Sequence, residues 1–228
     1  MVARLTPEQF EALRQVDSPT ISNAIEGFNV RPHVAGYAGY DIRCAYPELG
    51  TMMGYAVTCT ADSTTESRPR SREGLLKLWE AVAAAPKPVV IVLKDIGSDR
   101  LHSCHMGEVM ATTARKLGAV GAVSDGGLRD VNEVRALGFH YFCPGFTVSH
   151  GNPLIVDVGM EVEVSGLVVK PGDLLHGDVN GLVLIPEAIA ARVMEEVEAV
   201  RQREAAAMAE IRAAADPIAK LREIYPHH

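Results

Sequence analysis

The sequence predicts an α/β fold with a compact β section and a long C-terminal helix. Three observations lead there. Apolar strands alternate with helical patterns between residues 74 and 143, as in βα units. Short apolar runs then follow closely from Leu154 to Ile185, separated by tight-turn residues. Last, Pro186 to Ala215 carries no strong helix breaker and reads as one helix of about 45 Å at 1.5 Å per residue. One domain over 1–228 is expected, with its core at about 17–186 and a helical extension over 186–228.

The elements follow in order. Thr6-Pro7-Glu8-Gln9 has the cap, first-turn proline and return glutamine of a helix start. Asp17-Ser18-Pro19-Thr20 opens a second helix, whose Ile21, Ala24, Ile25 and Phe28 share a buried face. Residues 29–51 read as loop with short strands. Tyr55, Val57 and Cys59 alternate with Ala56, Thr58 and Thr60, which predicts a half-buried strand. The polar stretch 61–72 reads as a solvated loop, with a lid over an anionic substrate as the less favoured reading. Gly74 to Ala84 is helical through Leu75, Leu78, Trp79 and Val82. Val89 to Leu93 is continuously apolar, as in a strand buried on both faces. A helix from Gly107 to Lys116, a strand from Ala119 to Val123 and a helix from Val131 to Leu137 complete the βα section, followed by a strand over Phe139 to Ser149. Leu154–Val158, Glu161–Val164, Leu167–Val169 and Leu182–Ile185 are short strands, and Asp216-Pro217 starts a last helix over 218–224.

The stretch from Leu117 to Pro144 organises the rest. A strand of small residues ends at Ser124-Asp125, two glycines turn the backbone, and Arg129-Asp130 stand at the next helix start. Ligands of open α/β sheets bind at such strand ends. The plainer alternative is a surface Arg–Asp pair. The start of the 107–116 helix offers backbone N–H groups at Gly107, Glu108, Val109 and Met110 that lack intrahelical acceptors, a cradle for a carboxylate or phosphate. His102-Ser103-Cys104-His105 lacks the second ligand pair of a structural zinc site, so zinc is not the preferred reading. His140 and His150 read as hydrogen-bonded structural residues.

Composition narrows the class. Among 228 residues, 47% are hydrophobic and 22% charged, an ordinary globular balance. A net charge of −7 gives a nucleic-acid partner no electrostatic support. No run approaches a membrane span, Met1 to Thr6 lacks the apolar core of a leader, and Cys44, Cys59, Cys104 and Cys143 form no CxxC. A cytoplasmic protein with reduced thiols is expected.

Gly121-x3-Asp125-x3-Arg129-Asp130 resembles the signature of the RraA-like family. Gly107-Glu108-Val109-Met110-Ala111 is similar to its Gly-acidic-Leu-Leu-Ala segment. Lys170-Pro171-Gly172-Asp173, with 177–186, is similar to its closing hairpin. The family includes class II 4-hydroxy-4-methyl-2-oxoglutarate aldolases and the RraA regulator of ribonuclease E activity. The resemblance implies a swivelling β/β/α domain assembled as a trimer or hexamer. It also implies a Mg²⁺- or Mn²⁺-dependent aldolase that cleaves a 4-hydroxy-2-oxo acid to pyruvate and also decarboxylates oxaloacetate. In that reading Asp130 holds the metal, Arg129 faces the enolate oxygen, and residues 107–110 bind the substrate carboxylate. Glu108 helps hold a catalytic water. A further carboxylate comes from an adjacent subunit's C-terminal region, with Glu204 first and Glu210 in reserve. Two other readings compete: a non-catalytic protein-binding regulator, and a Schiff-base lyase using Lys94 at the end of the 89–93 strand. For Lys94, an ion-paired or snorkelling lysine is preferred.

Overall fold

The computed structural model describes residues 5–69 and 71–225, so the expectations placed on Met1–Arg4 and on Arg70 lie outside the described residues. Helices α1 (Pro7–Arg14) and α2 (Ser18–Glu26) start as their sequences dictate. Thr6 and Gln9 close a reciprocal capping box, and the Asp17 carboxylate accepts the Thr20 N–H. Each satisfies donors that the first helical turn would leave bare.

A mixed sheet follows: β1 (Arg43–Cys44), β2 (Met52–Asp62), β3 (Val89–Asp95), β4 (Ala119–Ser124), β5 (His140–Cys143), β6 (Leu154–Val158), β9 (Leu174–Asp178) and β10 (Gly181–Ile185). Its order is β1-β5-β4-β3-β2-β9-β10, and β6 also pairs with β2. Strands β2 to β5 are parallel, with Val57 opposite Ile91 and Ile91 opposite Ala122. The other edge of β2 is shared. Met52 to Tyr55 pair with β9, and Cys59 to Asp62 pair with β6, both antiparallel. The remaining strands, β7 (Val162–Val164) and β8 (Leu167–Val169), form a separate hairpin turned at Ser165-Gly166, both in positive φ.

Three packed clusters explain the alternation of the strands. Val57, Cys59, Ile91, Leu93, Ala122 and Tyr141 face α3 (Glu73–Ala84), α4 (Glu108–Lys116) and α5 (Val131–Ala136). On the opposite face Ala56, Val90, Val92, Val123 and Phe142 meet the β7–β8 hairpin and Ile42. At the far end Met53, Leu174, Val183 and Ile185 are covered by α1, α2 and α6 (Val193–Ala213). Strand β2 is therefore covered on both faces, not half-buried as its alternation of Thr and Val implied. Its Thr58 is fully buried and spends its hydroxyl on the Met160 carbonyl.

Other boundaries differ for local reasons. The long C-terminal helix starts at Val193 and not at Pro186, because Ile189 and Ala190 turn inward and the chain makes a 3₁₀ turn over Ala190–Arg192. Buried residues on α6 stop at Val200, so its second half leaves the core. A short helix α7 (Pro217–Ile224) follows, capped by Asp216. The strand expected over 139–149 ends at Cys143; Pro144 cannot continue the ladder, and 145–147 instead bond to Leu128. The stretch 61–72 is not wholly solvated: Asp62 and Ser63 are buried, with Asp62 held by the Thr64 and Thr65 N–H groups and by Arg68 at 2.7 Å. All four cysteines are free, and among the described residues no helix is long and apolar enough to cross a membrane.

His140 departs from its expected role. It is buried on β5, and its Nδ1 has no hydrogen-bond partner among the described residues. Burial, helped by the nearby Arg14 cation, pushes its pKa from 6.5 down to about 4. The folded protein keeps this ring neutral while the unfolded chain protonates near 6.5. Stability is thus full above pH 6.5 and is lost as pH falls toward 4, by roughly 3 kcal/mol from this group. Urea midpoints at pH 7.5 and pH 4.5 are expected to drop further apart in wild type than in His140→Gln. Equal drops would show that His140 does not titrate in this way.

Candidate active site

The site is built where β4 ends. Ser124 is fully buried, and its hydroxyl bonds both His105 Nδ1 at 2.8 Å and the Gly126 N–H at 3.0 Å. His105 Nε2 lies 2.8 Å from Asp95 Oδ2 at the end of β3. Burial alone would raise the Asp95 pKa, but hydrogen bonds from His105 and Ser103 outweigh it and hold the carboxyl below its usual range. The His105 N–H also donates to the Gly127 carbonyl at 3.0 Å. A Cβ on Gly126 would meet Ser103 Oγ at 2.4 Å and His105 Cε1 at 2.6 Å, so only glycine lets this turn close on its support. The zinc reading of residues 102–105 ends here: His102 pairs with Asp99, and His105 is locked in this network. Among the described residues no group of three His, Cys, Asp or Glu could hold a metal.

Lys94 and Asp125 complete the support. Lys94 Nζ lies 2.6 Å from Asp125 Oδ2, and the other carboxylate oxygen accepts the Asp95 N–H at 2.6 Å. The Lys94 amine is thus engaged by a buried carboxylate and not directed at an open substrate site, as a Schiff-base lysine would be. The ion-paired reading of Lys94 therefore stands.

The turn delivers Arg129 and Asp130 to the start of α4. The Arg129 N–H donates to the Met106 carbonyl at 3.1 Å. Asp130 is left-handed, at φ 59 and ψ 50, a conformation uncommon outside glycine but tolerated by Asp. This backbone turns its side chain away from α5 and toward α4. Asp130 Oδ2 accepts the Glu108 N–H at 2.8 Å and lies 3.5 Å from Arg129 Nε. The two residues do pair, as the plainer alternative held, but over the N-terminus of a helix. A Cβ on Gly107 would sit 2.4 Å from Asp130 Oδ2 and 2.9 Å from Arg129 Nε, so glycine there permits the approach.

Of the expected N–H cradle, Glu108 is thus taken by Asp130. Val109 and Met110 are left by helix geometry without intrahelical acceptors. The Glu108 side chain is exposed beside them. A cavity of about 180 Å³ lies over this point, lined by Gly107, Val109, Met110, Arg129, His105 and His150 among others. Glu204 stands elsewhere within the chain, on α6, where its carboxylate accepts from Asn23 of α2 at 3.1 Å. Glu210 lies 3.7 Å from Lys220. Neither joins Arg129 in one subunit. Sequence reading missed Asp95, His105, Ser124 and Asp125 as supports. For Asp95, Ser124 and Asp125 the signal was present, as polar residues at the ends of two buried apolar strands, whereas His105 lies in the loop before α4 and showed only as part of the zinc reading.

Parallel βα units that present a guanidinium, a carboxylate and a helix N-terminus beside one cavity define a binding or catalytic α/β domain of the swivelling β/β/α type. The family model described as RraA-like, Aldolase/RraA, matches residues 18–184, and the chain belongs to this family. An uncharacterized protein of Methanocaldococcus jannaschii, MJ0644, is 30% identical over 115 residues, or 50% of this chain and 55% of that protein. A Halalkalibacterium halodurans protein, provisionally named a 4-hydroxy-4-methyl-2-oxoglutarate aldolase, is 28% identical over 67% of this chain and 70% of its own length. An uncharacterized Pseudomonas syringae structure has a TM-score of 0.72 at 21% identity, covering 99% of this chain and 97% of that one. Streptomyces coelicolor RraAS2, described as an unusual member of the RNase ES inhibitor RraA family, has a TM-score of 0.62 at 23% identity, over 89% and 95%. Both structures share the fold.

Proposed function

We propose that this protein is a metal-dependent carbon–carbon lyase that releases pyruvate from a 4-hydroxy-2-oxo acid and also decarboxylates oxaloacetate. One observation carries the reading: Arg129 and Asp130 meet the N-terminus of α4 at Gly107-Glu108. Relatives named as aldolases support it.

The donor set fits a hard, mostly hydrated cation such as Mg²⁺ or Mn²⁺. Asp130 is a single carboxylate with one oxygen engaged by Glu108 N–H, and Mg²⁺ commonly takes one or two carboxylates and keeps several waters. When bound, that ion would supply Lewis-acid polarisation of the 2-oxo acid. Asp130 would hold it.

The chain's own groups do the rest. The Val109 and Met110 N–H groups bind the substrate carboxylate at the positive end of α4. Arg129 donates to the keto oxygen. The C4 hydroxyl gives up its proton to water held by Glu108, the C3–C4 electron pair moves into the C2–C3 bond, and the keto oxygen becomes the enolate oxygen. A proton returned to C3 yields pyruvate. In oxaloacetate the departing group is carbon dioxide and the same enolate forms, so no hydroxyl proton is needed. A second copy of the chain would bring Glu204 to this mouth in a trimer or hexamer. The regulator reading makes no use of the cation–carboxylate pair at an open helix end.

The test is pyruvate release from 4-hydroxy-4-methyl-2-oxoglutarate and from oxaloacetate. Activity is expected with Mg²⁺ or Mn²⁺, to vanish in EDTA and to return on adding metal. No pyruvate from either substrate at saturating metal would overturn the reading in favour of a binding protein.

A further inference from the structure

A second cavity, of about 270 Å³, abuts the first. The two share Cys104, His105, Met110 and Pro153 as walls. Each alone is below the roughly 300–1,000 Å³ common for small-ligand sites, and joined they fall in that range. The second cavity is lined mainly by apolar groups: Ala61, Leu75, Met110, Leu154 and Ile155. Among the described residues, the charged side chains that reach it are those of Asp62 and Arg72. The Asp62 carboxylate is already compensated by two backbone N–H groups and Arg68. Arg72 is exposed at the N-cap position just before α3, and none of the ion pairs among the described residues involves it. This wall is rigidly set. A Cβ on Gly74 would lie 1.9 Å from the Ile155 carbonyl oxygen, so α3 starts pressed against β6.

We propose that this second cavity receives the arm of the substrate beyond C4, and that the arm is a hydrocarbon chain ending in an anion held by Arg72. The inference rests on the lyase reading above for the position of C4. Apolar walls gain little from a short polar arm, whereas a methylene chain removes them from water. The Arg72 guanidinium at the rim then pairs with a terminal carboxylate, for which its planar fork is suited. The polar segment 61–72 thereby takes part in substrate selection.

Calorimetric affinities for pyruvate, 2-oxoglutarate and 2-oxoadipate, measured with Mg²⁺ on wild type and Arg72→Glu, test this. Arg72 is exposed, so the variant is expected to fold. Wild type is expected to bind 2-oxoadipate at least about 10-fold more tightly than pyruvate, the scale set by buried methylenes and one ion pair. Arg72→Glu should remove most of that preference. Equal affinity for all three ligands in wild type, or a variant that weakens pyruvate as much as 2-oxoadipate, overturns the arm site. Selective binding without cleavage of any 4-hydroxy-2-oxo acid leaves the arm site standing and overturns the lyase reading. Failure to bind any of the three overturns both.

Discussion

Asp130→Asn is expected to reduce Mg²⁺-dependent pyruvate release to 1% of wild type or less, on the order of the loss of one essential charged group, while the protein stays folded. Asparagine tolerates the left-handed backbone of residue 130 and keeps an oxygen for the Glu108 N–H, so the substitution removes the charge and little else. Asp130→Ala is the harsher change. It loses the bond that caps α4, about 1 kcal/mol, and places a Cβ without compensation in the left-handed region, about 1–2 kcal/mol. Its melting temperature should therefore fall by several degrees, and that of Asp130→Asn should not. The pair separates a metal-holding carboxylate from a structural cap. An Asp130→Asn protein with wild-type turnover at the same Mg²⁺ would refute the assignment.

Arg129→Ala is expected to lower kcat by about 100- to 1,000-fold, the usual cost of removing one preorganised donor to a developing oxyanion. The interaction strengthens as the C3–C4 bond breaks, so the loss belongs to kcat more than to KM. Arg129→Lys keeps the charge but not the fixed fork, and its flexible ammonium would sit where Asp130 already competes at 3.5 Å. It should be impaired nearly as badly. Neither change touches the backbone bond from Arg129 to Met106, so both variants should fold. Steady-state pyruvate production at saturating metal decides. If Arg129→Ala keeps kcat within a few-fold and only KM rises, the residue binds substrate without stabilising the transition state.

Much of this was legible from local pattern. Capping residues placed α1 and α2, and a continuous apolar run marked β3, which is buried almost throughout. The Gly-Gly turn and Arg129-Asp130 marked the site because close approach and charge leave a signature in residue type. What stayed hidden depends on contacts far apart in sequence. That β2 is covered on both faces follows from the β7–β8 hairpin, about a hundred residues later, and no local alternation records that. The Asp95–His105–Ser124 network joins three elements, and its members look ordinary one at a time. Asp130 was legible as a functional carboxylate but not as the cap of α4, since it stands at the start of another helix. The late start of the C-terminal helix reflects two apolar residues, Ile189 and Ala190, turning inward, which propensity alone does not weigh.

The shared edge of β2 has a consequence for how the protein is made. Met52 to Asp62 leave the ribosome long before the segments that pair with that edge, Leu154 to Val158 and Leu174 to Gly177. At about 5–20 residues per second, the edge stays bare for on the order of ten seconds. During that interval the nascent chain carries an apolar strand with one flank open, the kind of surface that recruits other strands or a chaperone. Synthesis must run nearly to Asp178 before the sheet can close, so a stall or truncation between residues 100 and 170 should yield aggregate, not a smaller folded piece.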